Sequence, residues 1–340
     1  MAATLLGPGV FAGLTSLIIC LFAHPIGARL GILDAPDGNR KLHARITPLV
    51  GGLAVVVPVV AISFWYAVTT SYLPLFGMLG IIVAAFWFLG MIDDRQHLRP
   101  IVRLGLSVVI CYAVLFWVPG YAVSFFRFGF VDDVLFLDFW TVPFTLICLV
   151  GLQNSVNMAD GRNGLVPGIA LIWSLLIFAY APPYLYPVLV ALVVGLAVVL
   201  AFNLAGRLFL GDSGCYALSV LIGLLAIHTY YIQFPILHAD VVALWFLIPV
   251  VDCLRLMTGR MLAGASPFSA DRNHLHHVIG AMMPWHFGLP LYLGLVAGPG
   301  LAALAEPEFS VAWAIVPLSI YGVIMALGGR LARPESAPTA

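Results

Sequence analysis

The chain has 340 residues, 62% of them hydrophobic and 9% charged, with a mean hydropathy of +1.07. Soluble domains carry about 25% charged residues, so a water-soluble enzyme, a disordered chain and a secreted disulfide scaffold are all excluded. Fifteen basic residues balance fifteen acidic ones, which leaves no net field to draw in a nucleic acid. What remains is an all-α, polytopic integral membrane protein.

A spanning helix needs about 20 apolar residues, and the apolar runs between charged and Gly/Pro breaks predict about eleven. In chain order they lie at about 3–24, 49–70, 73–92, 102–120, 140–158, 165–181, 184–203, 214–232, 239–256, 286–305 and 309–329. No Lys or Arg precedes the first run, which reads as a span and not as a cleaved signal peptide. The expectation is one membrane-embedded domain over 1–340, with a long cytoplasmic loop at 254–285. No internal repeat stands out, which argues against a transporter built from two related halves.

Basic residues set the orientation. With the N-terminus outside, fourteen of the fifteen fall on one set of loops and Arg127 alone falls on the other. Positive charge favours the cytoplasmic side, so the fourteen-residue side and the C-terminus are expected there. Cys20, Cys111, Cys148, Cys215 and Cys253 lie in or beside apolar runs without ligand spacing and read as membrane-core side chains.

Five segments on the predicted cytoplasmic side gather the remaining polar residues. The first joins the first two spans and holds Lys41, the sole lysine, between Arg40 and His43. An anchoring loop explains it; a point-charge phosphate contact is the alternative. The second carries Asp93 and Asp94 at a helix C-terminus, where the macrodipole disfavours anions and the two carboxylates repel each other. Ion pairs with Arg95 or Arg99 would relieve them, as would a divalent cation with hard oxygen ligands. In the third, Asn154, Asn157, Asp160 and Asn163 recur every three residues, so neighbours share adjoining parts of one helical face. Such groups are costly at membrane depth unless they face a wet cavity or bond between helices.

The fourth segment, with Arg207, leads into Asp212 and Ser213, which could cap the next helix or hold a metal facing a bound phosphate. The fifth contains Arg272, His274, His276 and His277. Three histidines invite zinc, but no cysteine accompanies them. With Arg272 they could instead grip a diphosphate. By this topology all five segments meet one membrane face, which suits phosphoryl transfer between a soluble donor and a lipid-borne acceptor.

The motifs carry a resemblance. Arg40-Lys41-x-His43 is followed by Pro48-x-x-Gly51-Gly52, Asp93-Asp94-Arg95, Asn154-x-x-Asn157-x-x-Asp160-Gly161-x-x-Gly164 and Gly211-Asp212-Ser213-Gly214. Ser266-Pro-Phe-x-x-Asp271-Arg272-x-His274-Leu275-His276-His277 completes the series. In this order the chain resembles the polyprenyl-phosphate N-acetylhexosamine-1-phosphate transferases. Within them it is most similar to the undecaprenyl-phosphate N-acetylglucosamine-1-phosphate transferases. Two positions depart from the family pattern: His97 and Asn163 stand where many members have Asp.

The resemblance implies about ten or eleven spans and a cytoplasmic active site in a bacterial inner membrane. It implies Mg²⁺ as cofactor, with Mn²⁺ able to substitute. The implied partners are a UDP-N-acetylhexosamine, undecaprenyl phosphate and the lipid bilayer, with no nucleic acid; a homodimer is one assembly it permits. The reaction is attack by the lipid phosphate on the sugar-bearing phosphorus, with UMP leaving. A phosphate monoester is largely dianionic at pH 7, so the main task is to bring two anions together.

The expected catalytic residues are Asp93, Asp94, Asp160 and Asp212. Asp212 would hold the metal with Asp160 or Asn157, while Asp93 and Asp94 would orient or deprotonate the lipid phosphate. Lys41, His43, Asn154, Asn157, Asn163, Arg207, Arg272, His274, His276 and His277 would contact phosphates or the sugar. Competing readings are a donor bearing a fucosamine or quinovosamine sugar, a transporter or flippase, and an inactive scaffold.

Overall fold

A computed structural model describes residues 2–35, 46–268 and 273–331. Its helices are, in chain order, α1 (Ala2–Leu21), α2 (Ala23–Leu30), α3 (Gly51–Thr69), α4 (Leu73–Gln96), α5 (Pro100–Trp117), α6 (Thr141–Ala159) and α7 (Leu165–Tyr180). They continue with α8 (Tyr186–Leu204), α9 (Gly211–Gln233), α10 (Ala239–Leu262), α11 (Leu275–Met282), α12 (Trp285–Ala305) and α13 (Ser310–Leu331). Among the described residues nine are long and apolar enough to cross a membrane; α1 and α2 form a further apolar pair bent by 72°. Helix α7 is apolar but has 16 residues. Helix is the expected outcome, because in lipid a segment must satisfy its own N–H and C=O groups.

The bundle is built around α9. Every side chain from Ser213 to Tyr230 is buried, so this helix has no polar face, the pattern of a segment enclosed by other helices. It packs against α3, α4, α6 and α7. Outer helices turn large apolar side chains outward: Val68, Phe116 and Ile147 are 75%, 76% and 68% exposed. Lipid, and not water, accommodates such a surface.

Two close approaches fix the end of the bundle where α9 begins. A Cβ on Gly52 of α3 would lie 2.3 Å from Gly214 Cα, and one on Gly90 of α4 would lie 2.4 Å from Ser213 Cα. Both helices therefore touch the backbone of α9, which only glycine allows. The chain before α3 adds support: Leu33–Asp34 (β1) pairs with Thr47–Pro48 (β2) in an antiparallel ladder. Pro48 O then accepts the Phe209 N–H at 3.0 Å, and Phe209 O accepts Gly51 N–H at 2.9 Å.

Three features differ from the sequence expectation. Helix α4 runs to Gln96, past the expected end at 92. Helix α10 runs to Leu262, and α11 forms within what was expected to be a loop at 254–285. Hydropathy marks where the bilayer would end, whereas a helix continues while its polar side chains find partners: Arg260 donates to Pro267 O at 2.6 Å. At the opposite end of the bundle Phe125–Arg127 (β3) and Val134–Phe136 (β4) form a hairpin that no span reading could reveal.

Candidate active site

The site is assembled at the N-terminus of α9, where α4 and α6 end. Asp94, in the last turn of α4, reaches across to α9. Its Oδ1 accepts the Asp212 N–H at 2.8 Å and its Oδ2 accepts the Ser213 N–H at 3.0 Å. The first N–H groups of a helix lack intrahelical acceptors, so a carboxylate from another helix does the work of a cap. Two of the N–H groups that the sequence offered to a phosphate are thus taken by Asp94.

Asp93 turns the other way and is 2% exposed. Its Oδ1 accepts the Leu98 N–H at 2.7 Å; its Oδ2 accepts the Tyr216 hydroxyl at 2.5 Å and Arg103 at 3.4 Å. Asp93 ties α4, α5 and α9 together, and both its oxygens are engaged. His97 closes α4 in the left-handed region at φ 50°, its N–H donating to Asp93 O at 2.9 Å. The residue is exposed.

Asp160 follows directly on α6. Its Oδ2 accepts the Cys215 thiol of α9 at 3.4 Å. Burial pushes its carboxyl up to about 6; the nearby Asp94 charge adds to this and the Cys215 bond works against it. Asp212 completes the group. No hydrogen bond reaches its carboxylate among the described residues, while the negative charges of Asp94, Asp93 and Asp160 act on it, offset in part by Arg103. Four acids from α4, α9 and the α6 terminus are therefore concentrated against one arginine.

The turn after Asp160 is fastened by Asn203 of α8, which is buried. Its Oδ1 accepts the Gly164 N–H at 2.6 Å and its Nδ2 donates to Leu208 O at 2.9 Å. One amide thereby joins the Asp160–Gly164 turn to the strand of chain leading into Asp212. The histidines approach the same turn from outside. A Cβ on Gly161 would lie 2.2 Å from His276 Nε2, so the His276 ring rests on that glycine. His274 and His276 stack at 5.4 Å, and His276 and His277 lie 4.2 Å apart. Burial and the other two histidines hold His276 well below the usual histidine range, and so neutral.

Other expected ligands stand further off. Asn154 donates to Val150 O of its own helix at 2.8 Å. Asn157 is half-buried one turn before Asp160. The backbone O of Asn163 accepts the Trp285 indole N–H at 2.8 Å. Arg207 is exposed, its guanidinium 5.8 Å from the Phe202 ring. Lys41, His43 and Arg272 lie outside the described residues. Sequence reasoning missed Arg103, Asn203, Tyr216 and Asp252. Asp252 did carry a signal, since an ionisable residue within an apolar span is a functional candidate in itself.

The donor set is of hard-oxygen type, which suits a small divalent cation. Among the described residues no three His, Cys, Asp or Glu side chains gather closely enough to hold an ion alone. An ion here would take further ligands from Asn157, water and substrate oxygens, as Mg²⁺ commonly does.

A buried acid cluster at one end of an apolar bundle defines a membrane-embedded site for a charged ligand. Residues 75–230 match the model of glycosyl transferase family 4. It is 29% identical to a probable undecaprenyl-phosphate N-acetylglucosaminyl 1-phosphate transferase of Bacillus subtilis over 277 residues, covering 78% of this chain and 74% of the relative. It is 29% identical to the undecaprenyl-phosphate alpha-N-acetylglucosaminyl 1-phosphate transferase of Escherichia coli K12, with 78% and 74% covered. A decaprenyl-phosphate N-acetylglucosaminephosphotransferase of Mycobacterium tuberculosis is 28% identical, with 92% and 86% covered.

Proposed function

We propose that this protein transfers N-acetylglucosamine-1-phosphate from UDP-N-acetylglucosamine to a polyprenyl phosphate, releasing UMP. The observation that carries this reading is the convergence of Asp94, Asp160 and Asp212 at the α9 N-terminus, beneath a histidine cluster. An oxygen of the lipid phosphate attacks the sugar-bearing phosphorus; that O–P bond forms as the P–O bond to UMP breaks, and no net proton transfer is needed from a dianionic acceptor. Asp212 and Asp160, with Asn157, would hold Mg²⁺ or Mn²⁺. That ion supplies charge neutralisation between the two anionic substrates.

The residues of the chain then divide the work. Asp94 fixes the α9 N-terminus and so the position of Asp212. Asp93 braces the ends of α4 and α5. The histidine cluster, with Arg272, Lys41 and Arg207, would receive the donor's phosphates, and Asn154, Asn163 and His43 would line the approach. We read the bent α1–α2 pair and α7 as completing eleven spans, with the N-terminus outside. The bias of basic residues to one set of loops supports a site on the cytoplasmic face, and the bacterial relatives support an inner membrane.

The test is UMP release from purified protein given undecaprenyl phosphate, Mg²⁺ and a panel of UDP-sugars. UMP from UDP-N-acetylglucosamine alone, abolished by EDTA and restored by Mg²⁺, is the expected outcome. Release from a different N-acetylated donor would reassign the sugar, and folded protein silent across the panel would overturn the reading.

A further inference from the structure

Asp252 lies in the apolar helix α10, 4% exposed, and none of the sequence motifs includes it. Four donors converge on it. Its Oδ1 accepts Arg255 and the Tyr321 hydroxyl, each at 2.9 Å; its Oδ2 lies 3.1 Å from His274 Nδ1 and accepts the Leu275 N–H at 3.1 Å. Arg255 also donates to Tyr321 at 2.6 Å and to Asn273 O at 2.6 Å. One carboxylate thus joins α10, α13 and the first turn of α11. Desolvating a carboxylate costs several kcal/mol, and an apolar side chain often serves packing at least as well. The charge therefore has a use beyond filling space.

That use lies in the histidine. A carboxylate only accepts, so the shared proton sits on His274 Nδ1 and Nε2 is left as the ring's one free nitrogen. The stack on His276, with the rings inclined by 13°, fixes the ring plane. His276 in turn rests on Gly161, beside Asp160. A chain of contacts runs from Tyr321 to the acid cluster, and Asp252, Tyr321 and His274 all lie beyond the family-matched residues 75–230.

We propose that Asp252 is a positioning residue, backed by Arg255 and Tyr321, that holds His274 with Nε2 presented to the diphosphate of the sugar-nucleotide donor. The inference rests on the transferase reading for the identity of that donor. Partners of this kind behind a ligating histidine are commonly worth 10–100-fold.

Asp252→Asn and Tyr321→Phe are made in the wild-type and His274→Ala backgrounds, with Asp252→Glu as the conservative rescue. Each folded variant is read by calorimetric affinity for UDP-N-acetylglucosamine without acceptor and by KM for each substrate. Asp252→Asn should weaken donor binding about tenfold and leave the acceptor KM unchanged. Tyr321→Phe should give a smaller loss of the same kind, and Asp252→Glu should recover part of it. In the His274→Ala background neither should add more than about twofold, because coupled residues are not additive.

Donor affinity unchanged in Asp252→Asn, or a loss that persists without His274, overturns the inference. Should Asp252→Asn fail to fold, the Tyr321→Phe pair decides by the same criterion. Wild-type protein that binds the donor but releases no UMP would sink the transferase reading while leaving the positioning role intact. Wild-type protein that does not bind the donor would sink both.

Discussion

Asp212 and Asp240 each stand in the first turn of a long apolar helix, α9 and α10, at opposite ends of the bundle. At Asp240 everything is closed. Its Oδ1 accepts the Gly129 N–H at 3.0 Å, and its Oδ2 accepts the Ser310 hydroxyl. Nearby Arg127 donates to Phe234 O at 3.1 Å and Pro235 O at 2.8 Å. At Asp212 no donor reaches the carboxylate among the described residues, and three other acids act on it. The same residue type in the same helical position is a clasp at one end and an unsatisfied charge at the other. A folded chain tolerates the second arrangement where a proton or a ligand offsets the charge, which makes Asp212 a candidate ligand-binding group.

The sharpest way to break this comparison is to remove both acids. Asp212→Ala should lower UMP release on the order of 10²–10³-fold with the melting temperature held or raised, since a repelled charge is gone. Asp240→Ala should leave turnover per folded molecule within about twofold and cost about 1–3 kcal/mol of stability, because the Gly129 N–H loses its acceptor. Reversed outcomes, read by UMP assay and thermal unfolding, would show that the open carboxylate is merely surface.

Tyr216→Phe tests the bracing of Asp93. The hydroxyl 2.5 Å from Asp93 is lost inside the protein, so about 1–3 kcal/mol of stability should go, measured as a lower melting temperature. Activity should fall only as far as the α4 and α5 ends loosen. A variant as stable as wild type would mean that Leu98 and Arg103 suffice.

The smallest effect concerns Cys215. Asp160, with its carboxyl at about 6, holds a proton below that pH; in the proposed metal site, apparent Mg²⁺ affinity should therefore fall as pH drops through 6. The Cys215 thiol favours the ionised form. Cys215→Ala raises the Asp160 pKa, and the loss of Mg²⁺ affinity should move to higher pH by a fraction of a unit. A Mg²⁺ titration at several pH values reads it; an unmoved profile would separate Asp160 from the metal.

Much of the scaffold was legible because lipid imposes a simple rule: long apolar runs become helices, and helices occupy every predicted run. The acid cluster was legible because its members sit in short polar breaks at span ends. Asn203 and Tyr216 were not, since each is a lone polar residue in an apolar run. Their partners lie far away in the chain: Gly164 is 39 residues from Asn203, and Asp93 is 123 from Tyr216. No local spacing reports such pairings. The division between Asp93 and Asp94 was hidden for a related reason. Two adjacent carboxylates look alike until neighbouring helices take one inward and the other across to α9.

The near-contact of Gly52 with Gly214 sets a limit on how this protein can change. Polar residues of the site can be exchanged for others of similar shape and leave the framework standing. A single methyl at either glycine cannot be absorbed, because what it meets is main chain and not a side chain able to swing aside. It would drive α3 from the first turn of α9, the turn that carries Asp212. The smallest possible gain of mass, at a position bearing no functional group, is therefore an off switch.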